Sequence, residues 1–157
     1  MREEGMKKEG QYVVFRLGDE NYGIDVNHVR EIITMQKITE VPGTREFIEG
    51  VINLRGYVIP VFNLRKKFSL PEREVTRATR IVVVEVEGEA VGIIGDEVYE
   101  VLRLAREEIE RPSPSIVAGI DSEYIKGIAK LERGLVILLD LERVLQREGR
   151  SSLESTA

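Results

Sequence analysis

The amino-acid sequence predicts a mostly β protein with two similar small lobes. Short runs rich in Val, Ile, Tyr and Phe recur along the 157 residues, and Gly, Asp, Asn or Pro bound them, a composition that is typical of strands and turns. Segments with helical periodicity are few and short. Parts of the first half of the chain recur in the second half, and such a repeat predicts two related structural units.

Two pairs of strand-like runs predict β-hairpins. The first joins 12–17 to 22–24 across a polar turn, and the second joins 81–86 to 90–94 across Glu87-Gly88-Glu89. Four further segments have strand composition: 51–54, 57–61, 125–131 and 135–139. Pro60 has no N–H to donate to a sheet, so we expect it on an edge strand or beside a bulge.

Helical signals occur at three places. Asp140 is a candidate N-cap for a helix over 141–148, and Asn63 is a candidate N-cap for one or two turns that place Leu64 and Phe68 on one face. The stretch 25–33 is ambiguous between a helical turn and a strand, and we interpret it as a turn that leads into a strand.

The repeat has two parts with different offsets. A shift of 69 places residues 11–33 on 80–102, with seven of the 23 pairs identical. A shift of 77 places 47–64 on 124–141, and it superimposes the two candidate N-caps. Short strands can resemble each other by chance, but two segments in the same order favour a true repeat.

Charge and composition exclude several classes of function. The 28 acidic and 23 basic residues give a net charge of −5, which is the wrong sign for a general binder of phosphate backbones. The chain has no cysteine and a single histidine, His28, and no glycine-rich phosphate loop is present. No apolar run approaches the roughly 20 residues that span a bilayer, and the N-terminus lacks the apolar segment of a secretory signal. We therefore expect a cytoplasmic protein without catalytic activity, metal or cofactor.

A small β-barrel that binds nucleic acid is the alternative. Such a protein needs a basic face with aromatic side chains for base stacking. The net charge of −5, the absence of tryptophan and the presence of only nine Phe and Tyr residues argue against it.

The segment 47–64 (FIEGVINLRGYVIPVFNL) strongly resembles the signature of the CheW-like domain family, the coupling proteins of bacterial chemotaxis. Four other segments follow the family's order: 22–26, 29–32, 91–93 and 124–127. The resemblance covers residues 11–148 as a single domain, which leaves 1–10 and 149–157 as flexible tails. A fused kinase core has no room in this length, so a stand-alone member is expected.

The resemblance implies a fold and a function. CheW-like proteins consist of two five-stranded SH3-like β-barrel lobes with a shared hydrophobic core between them and a few short helices. They are non-catalytic adaptors that couple the cytoplasmic tips of methyl-accepting chemotaxis receptors to the regulatory domain of the histidine kinase CheA and control its autophosphorylation. The implied location is the cytoplasm, with recruitment to membrane-associated receptor arrays and no insertion into the membrane.

The resemblance also implies two sets of site residues. Receptor-binding positions, in a groove between the lobes, are Val29, Glu31, Gly50, Arg55, Val98 and Val101. Glu31 and Arg55 are expected to pair with each other. The kinase-binding positions are Arg111 and Ile116. Without the resemblance, the three valines would be interpreted as core, Gly50 as a turn or bulge glycine, and Arg55 and the connector 111–115 as solvated.

Overall fold

The computed structural model describes residues 9–44, 47–111, 122–132 and 134–145, and it confirms the mostly β prediction. The strands are β1 (Glu9–Leu17), β2 (Glu20–Asp25), β3 (Val29–Thr34), β4 (Ile48–Leu54), β5 (Tyr57–Phe62), β6 (Arg80–Val86), β7 (Glu89–Gly95), β8 (Glu97–Ala105), β9 (Ile109–Glu110), β10 (Ile125–Leu131) and β11 (Gly134–Leu139). Two one-turn helices, α1 (Leu64–Lys67) and α2 (Leu141–Val144), and three 3₁₀ turns, Val26–His28, Arg106–Glu108 and Ser122–Tyr124, complete the described elements.

The strands form two sheets, which we name lobe 1 and lobe 2. Lobe 1 has six strands in the order β8-β1-β2-β11-β10-β9, and lobe 2 has five in the order β3-β6-β7-β5-β4. All neighbours are antiparallel except the β2–β11 and β5–β7 pairs, which are parallel. The sixth strand of lobe 1, β9, contributes only two residues. The two-lobed β architecture agrees with the sequence prediction.

The repeat is visible in the elements but does not coincide with the lobes. β4, β5 and α1 recur 77 residues later as β10, β11 and α2 with identical bounds, and the β-bulge at Ile48/Gly50 recurs at Ile125/Gly127. Lobe 2 is continuous from β3 to β7, whereas lobe 1 combines β1 and β2 with β8 to β11. Lobe 1 therefore joins β1 and β2 of the first repeat to the later strands of the second repeat. Lobe 2 joins β6 and β7 of the second repeat to the later strands of the first, β3, β4 and β5.

Local signals placed most of the short elements correctly. The Asn63 side chain accepts hydrogen bonds from the backbone N–H groups of Arg65 and Lys66 at the start of α1, and Asp140 accepts from Arg143 N–H at the start of α2, as expected of N-caps. The helix predicted over 141–148 is described as α2 up to Val144, and residues beyond 145 lie outside the described ranges. The turn predicted before Ile33 is the 3₁₀ turn that leads into β3.

Pro60 lies beside a bulge, as predicted. It faces Val51 of β4, the residue after the Gly50 irregularity. The N–H and C=O of Val51 are both bonded to Thr39, each at 2.9 Å, so they point away from Pro60. The missing N–H of proline therefore costs β4 no hydrogen bond.

The core has three parts, and the largest one is shared by the lobes. It contains Phe15 and Tyr22 from lobe 1 together with Phe62, Val82 and other residues of lobe 2. A smaller cluster around Val14 and Leu138 fills lobe 1, and another around Ile52, Val61 and Val83 fills lobe 2. A shared hydrophobic core between the lobes is thus confirmed.

Candidate functional site

The expected ion pair between Glu31 and Arg55 is present. Arg55 (φ 52°) and Gly56 (φ 90°) form the two-residue turn between β4 and β5, and positive φ at both central residues is the type I′ geometry that suits a tight hairpin. The turn directs Arg55 toward β3, which stands at the opposite end of the strand order from β4, and there its Nη2 donates to Glu31 Oε2. The Arg55 side chain is 66% exposed and that of Glu31 is 32% exposed, so the pair is accessible to a partner.

The pair lies on the rim of an open groove of about 570 Å³. Its floor is apolar, with Leu54, Ile59 and Val83, and its rim carries charges of both signs. The lining residues all belong to lobe 2: Arg30, Glu31, Leu54, Arg55, Tyr57, Val58, Ile59, Pro60, Val83, Glu89 and Ala90. We name this feature the lobe 2 end groove. Tyr57 is 75% exposed and Val58 is 70% exposed, and neither was singled out from the sequence.

Lobe 1 has a smaller cavity of about 80 Å³ at positions that the repeat makes equivalent. Its lining is Val14, Asn21, Glu100, Leu131, Gly134, Leu135 and Val136. Leu135, 47% exposed, corresponds to Val58, and Glu100 corresponds to Glu31. Val58 and Leu135 occupy the same position in the repeat, since each is the fourth residue after a leucine, Leu54 or Leu131. This shared position is the sequence signal that could have revealed them.

The three predicted valines occupy two kinds of environment. Val29 begins β3 and Val98 lies in β8, and both are half-buried against the shared core. Val101 of β8 is 57% exposed. Its equivalent in the repeat is Ile32 of β3, which is 42% exposed and was not predicted as a site residue. β3 and β8 are edge strands of their sheets, so exposed apolar side chains mark an edge in each lobe.

Gly50 has a backbone role. It is buried, with φ of 150°, and a Cβ at this position would lie 2.2 Å from the carbonyl oxygen of Thr39. Such a contact is impossible without movement of the backbone. The glycine therefore lets the chain at Thr39 lie directly on the β4 bulge, and it presents no side chain to a partner.

One of the two predicted kinase-binding residues lies at the end of β9. Arg111 follows β9 directly and is exposed. Ile116 lies outside the described residues, as does the whole stretch 112–121.

The described residues contain neither a cluster of metal-binding side chains nor a membrane-spanning helix. Within 9–44, 47–111, 122–132 and 134–145, histidine and acidic side chains form no group of three or more that could hold a metal ion. None of the helices in these ranges is long and apolar enough to cross a lipid bilayer.

Comparison with known proteins identifies the family. A sequence model of the CheW-like domain matches residues 11–149. The chain belongs to the CheW-like domain family. Among its relatives, the chemotaxis protein CheW of Bacillus subtilis is 38% identical over 147 residues, with 94% of each chain covered. The chemotaxis protein CheW of Klebsiella aerogenes is 35% identical over 147 residues, which cover 94% of this chain and 88% of the relative.

The CheW-like fold is also found in a solved structure. The crystal structure of the scaffolding protein TtCheW from Thermoanaerobacter tengcongensis superimposes with a TM-score of 0.81 at 40% sequence identity. The match covers 89% of this CheW-like chain and 90% of TtCheW, so both lobes take part in it.

Proposed function

We propose that this CheW-like chain is a non-catalytic adaptor of bacterial chemotaxis. It couples the cytoplasmic tips of methyl-accepting chemotaxis receptors to the regulatory domain of the histidine kinase CheA and thereby controls autophosphorylation of the kinase. The observation that carries this proposal is the match of the CheW-like domain to residues 11–149. The relatives that share this match are named chemotaxis proteins, and the structural neighbour is named a scaffolding protein.

We assign receptor binding to the edge strands and the ion pair. Val101 offers an exposed apolar side chain, Val29 and Val98 lie half-buried beside the shared core, and Glu31 with Arg55 adds a polar anchor. An amphipathic helix docks by placing a few apolar anchors into such a surface. Ile32 joins this set because it is the exposed equivalent of Val101, and Gly50 acts by shaping β4.

We assign kinase binding to the ends of the lobes and to the segment after β9. The lobe 2 end groove exposes Tyr57 and Val58, and the equivalent end of lobe 1 exposes Leu135. The Glu31–Arg55 pair on the rim of the groove is the border between this surface and the one assigned to the receptor. Partly exposed apolar residues with a polar rim are the composition of a protein–protein interface. Arg111 and Ile116 complete the assignment.

The proposal includes the layout and the location of the chain. Residues 11–148 form one CheW-like domain, 1–10 and 149–157 are flexible tails, and the protein acts in the cytoplasm on membrane-associated receptor arrays. Nucleic-acid binding is not proposed, because the groove that holds Tyr57 carries Glu31 and Glu89 beside Arg30 and Arg55 and is therefore not the basic face that phosphates require. Tyr57 is exposed, but a single exposed ring is not the stacking surface that base recognition needs.

The test is a binding assay with purified components. We expect the protein to be retained by immobilised CheA and by an immobilised receptor cytoplasmic fragment, and to raise the amount of CheA retained by the receptor fragment. A folded protein that binds CheA but leaves CheA retention on the receptor unchanged would contradict the coupling role. Binding to single-stranded RNA with neither protein partner would favour the alternative function.

A further inference from the structure

A charged pair is buried where the chain passes from lobe 2 to lobe 1. Asp96 is the single residue between β7 of lobe 2 and β8 of lobe 1. Arg65 of α1 reaches it with two donors, Nη2 at 2.5 Å from Oδ2 and Nε at 3.3 Å from Oδ1. The side chains are only 9% and 14% exposed. A two-point contact between guanidinium and carboxylate fixes direction as well as distance.

Asp96 is bound to lobe 1 on its other side. Its Oδ2 accepts a hydrogen bond of 2.8 Å from Gly18 N–H in the β1–β2 turn, and its own N–H donates to the carbonyl oxygen of Arg16 at 2.8 Å. Asp96 is therefore hydrogen-bonded to the β1–β2 hairpin of lobe 1, although it follows β7 of lobe 2.

Arg65 is bound to lobe 2. Its helix α1 follows β5 directly, Asn63 N–H donates to the carbonyl oxygen of Phe47 at 2.8 Å, and Lys66 Nζ lies 2.8 Å from Glu49 Oε1 of β4. The second terminal nitrogen of Arg65 donates to the carbonyl oxygen of Pro71. The guanidinium of Arg65 is thus hydrogen-bonded to Pro71 as well as to Asp96. Its contact with Asp96 joins the two lobes.

The repeat shows that folding of a lobe does not by itself demand this pair. The positions equivalent to Arg65 and Asp96 are Glu142 and Asn27, and both are exposed. The chain also crosses between the lobes near Asn27, from β2 to β3, but no buried arginine–carboxylate contact accompanies that crossing in the described residues.

We propose that Arg65 and Asp96 form an inter-lobe latch that fixes the angle between lobe 1 and lobe 2. The latch sets where β8, with its exposed Val101, stands relative to the lobe 2 end groove. Arg65 and Asp96 are positioning residues in this role. A buried ion pair contributes little net stability compared with apolar packing, but its geometry is specific, which suits the control of an angle.

The experiment measures a distance between the two lobes that depends on their angle, and it requires no binding partner. The chain has no cysteine, so spin labels can be attached to Gln11→Cys on β1 of lobe 1 and Thr34→Cys on β3 of lobe 2, both exposed strand positions. Pulsed electron resonance then gives the distance distribution between the lobes. We expect Asp96→Asn and Arg65→Lys each to broaden this distribution or shift its mean, because each weakens the two-point contact.

The matched control is Glu85→Gln. It also removes one carboxylate charge from an arginine pair, here with Arg30, but both partners lie within lobe 2, so the distance distribution should remain that of the parent. Parental distributions in folded Asp96→Asn and Arg65→Lys would overturn the latch, as would equal broadening in the control. Unfolding of both variants would also contradict it, because the pair would then hold the fold rather than the angle.

Discussion

Phe68, the C-cap of α1, stacks on Tyr22 of β2, with ring centroids 6.0 Å apart and planes inclined by 25°. Tyr22 in turn stacks on Phe15 at 5.9 Å, and Phe68 also contacts Tyr124 at 6.1 Å. Aromatic pairs of this kind contribute about 0.5–1.5 kcal/mol each beyond the burial of their area. The end of the helix that follows β5 of lobe 2 is therefore held against lobe 1 by two ring contacts, and the Tyr22–Phe15 contact continues the stack within lobe 1.

Tyr22 should make the protein sensitive to alkali. Burial, assisted by the charge of Glu20 and opposed by that of Arg65, raises the pKa of its hydroxyl from 10.0 to about 12. The folded state thus keeps a proton that the unfolded state loses, so the free energy of unfolding should fall as the pH rises from about 10 to about 12. The free energies of unfolding of the wild type and of Tyr22→Phe, measured by urea denaturation across this pH range, check this prediction. The phenylalanine variant should lose less stability, and parallel losses in the two proteins would refute the assignment.

Reversal of one charge in the Glu31–Arg55 pair should weaken receptor binding but not folding. An exposed ion pair contributes about 0–1 kcal/mol to stability, so Arg55→Glu should change the melting temperature little while receptor binding falls strongly. The double variant Glu31→Arg/Arg55→Glu should restore part of the binding. Lys130→Glu, which disrupts the exposed pair with Glu110 in lobe 1, is the control. A double variant no better than either single one would show that the pair does not act as a unit.

The surfaces for the two partners should be separable by mutation. Val101→Met places a larger side chain on an exposed edge strand, and we expect it to impair receptor binding with little effect on stability. Val98→Met should do the same at a folding cost of about 1–3 kcal/mol, because Val98 is half-buried against the core. Arg111→Glu should impair kinase binding alone. Each variant is titrated against each partner, beside a thermal melt, and equal loss of both partners by folded variants would point to a single shared surface.

Gly50 should be among the least replaceable glycines. An alanine at position 50 would have to adopt a positive φ, and its Cβ would occupy the space of Thr39. We therefore expect Gly50→Ala to lower the free energy of unfolding by more than about 1 kcal/mol. Gly88→Ala is the control, since Gly88 also has a positive φ (81°) but a Cβ there would meet no heavy atom within 4 Å. Chemical denaturation of the two variants measures the difference. Similar losses would mean that backbone conformation, and not the contact with Thr39, dominates.

Local chemistry explains which elements could be predicted from the sequence. The turns at Gly18 and Gly88 and the caps at Asn63 and Asp140 act on their immediate neighbours, so the two predicted hairpins and both helix starts were placed correctly. β8 was not predicted, because its apolar residues (Val98, Val101, Leu102 and Leu104) alternate only in part. Its strand conformation depends on pairing with β1, about 90 residues away in the sequence.

The exchange of strands between the repeats and part of the candidate site also depend on tertiary structure. Which strand pairs with which is a long-range choice that periodicity does not encode, so two repeats were interpreted as two lobes. The pairing of Glu31 with Arg55 was expected only because of the family resemblance. Ile32, Val58 and Leu135 lie in apolar strand segments, where burial is the ordinary expectation, and only the fold reveals that they are exposed.

The interleaved arrangement also has a consequence for synthesis on the ribosome. Lobe 2 is complete once Gly95 has emerged, whereas lobe 1 needs β11, which ends 44 residues later. At a translation rate of roughly 5–20 residues per second, this interval lasts about 2–9 s. β8 follows early in this interval, ending 10 residues after Gly95, but throughout it the β1–β2 hairpin, already made, lacks a complete β11 to cover its apolar side chains. The β1–β2 hairpin is thus the part of the nascent chain that is most exposed to aggregation. Lobe 1, which begins with β1 and β2, is completed only by β10 and β11.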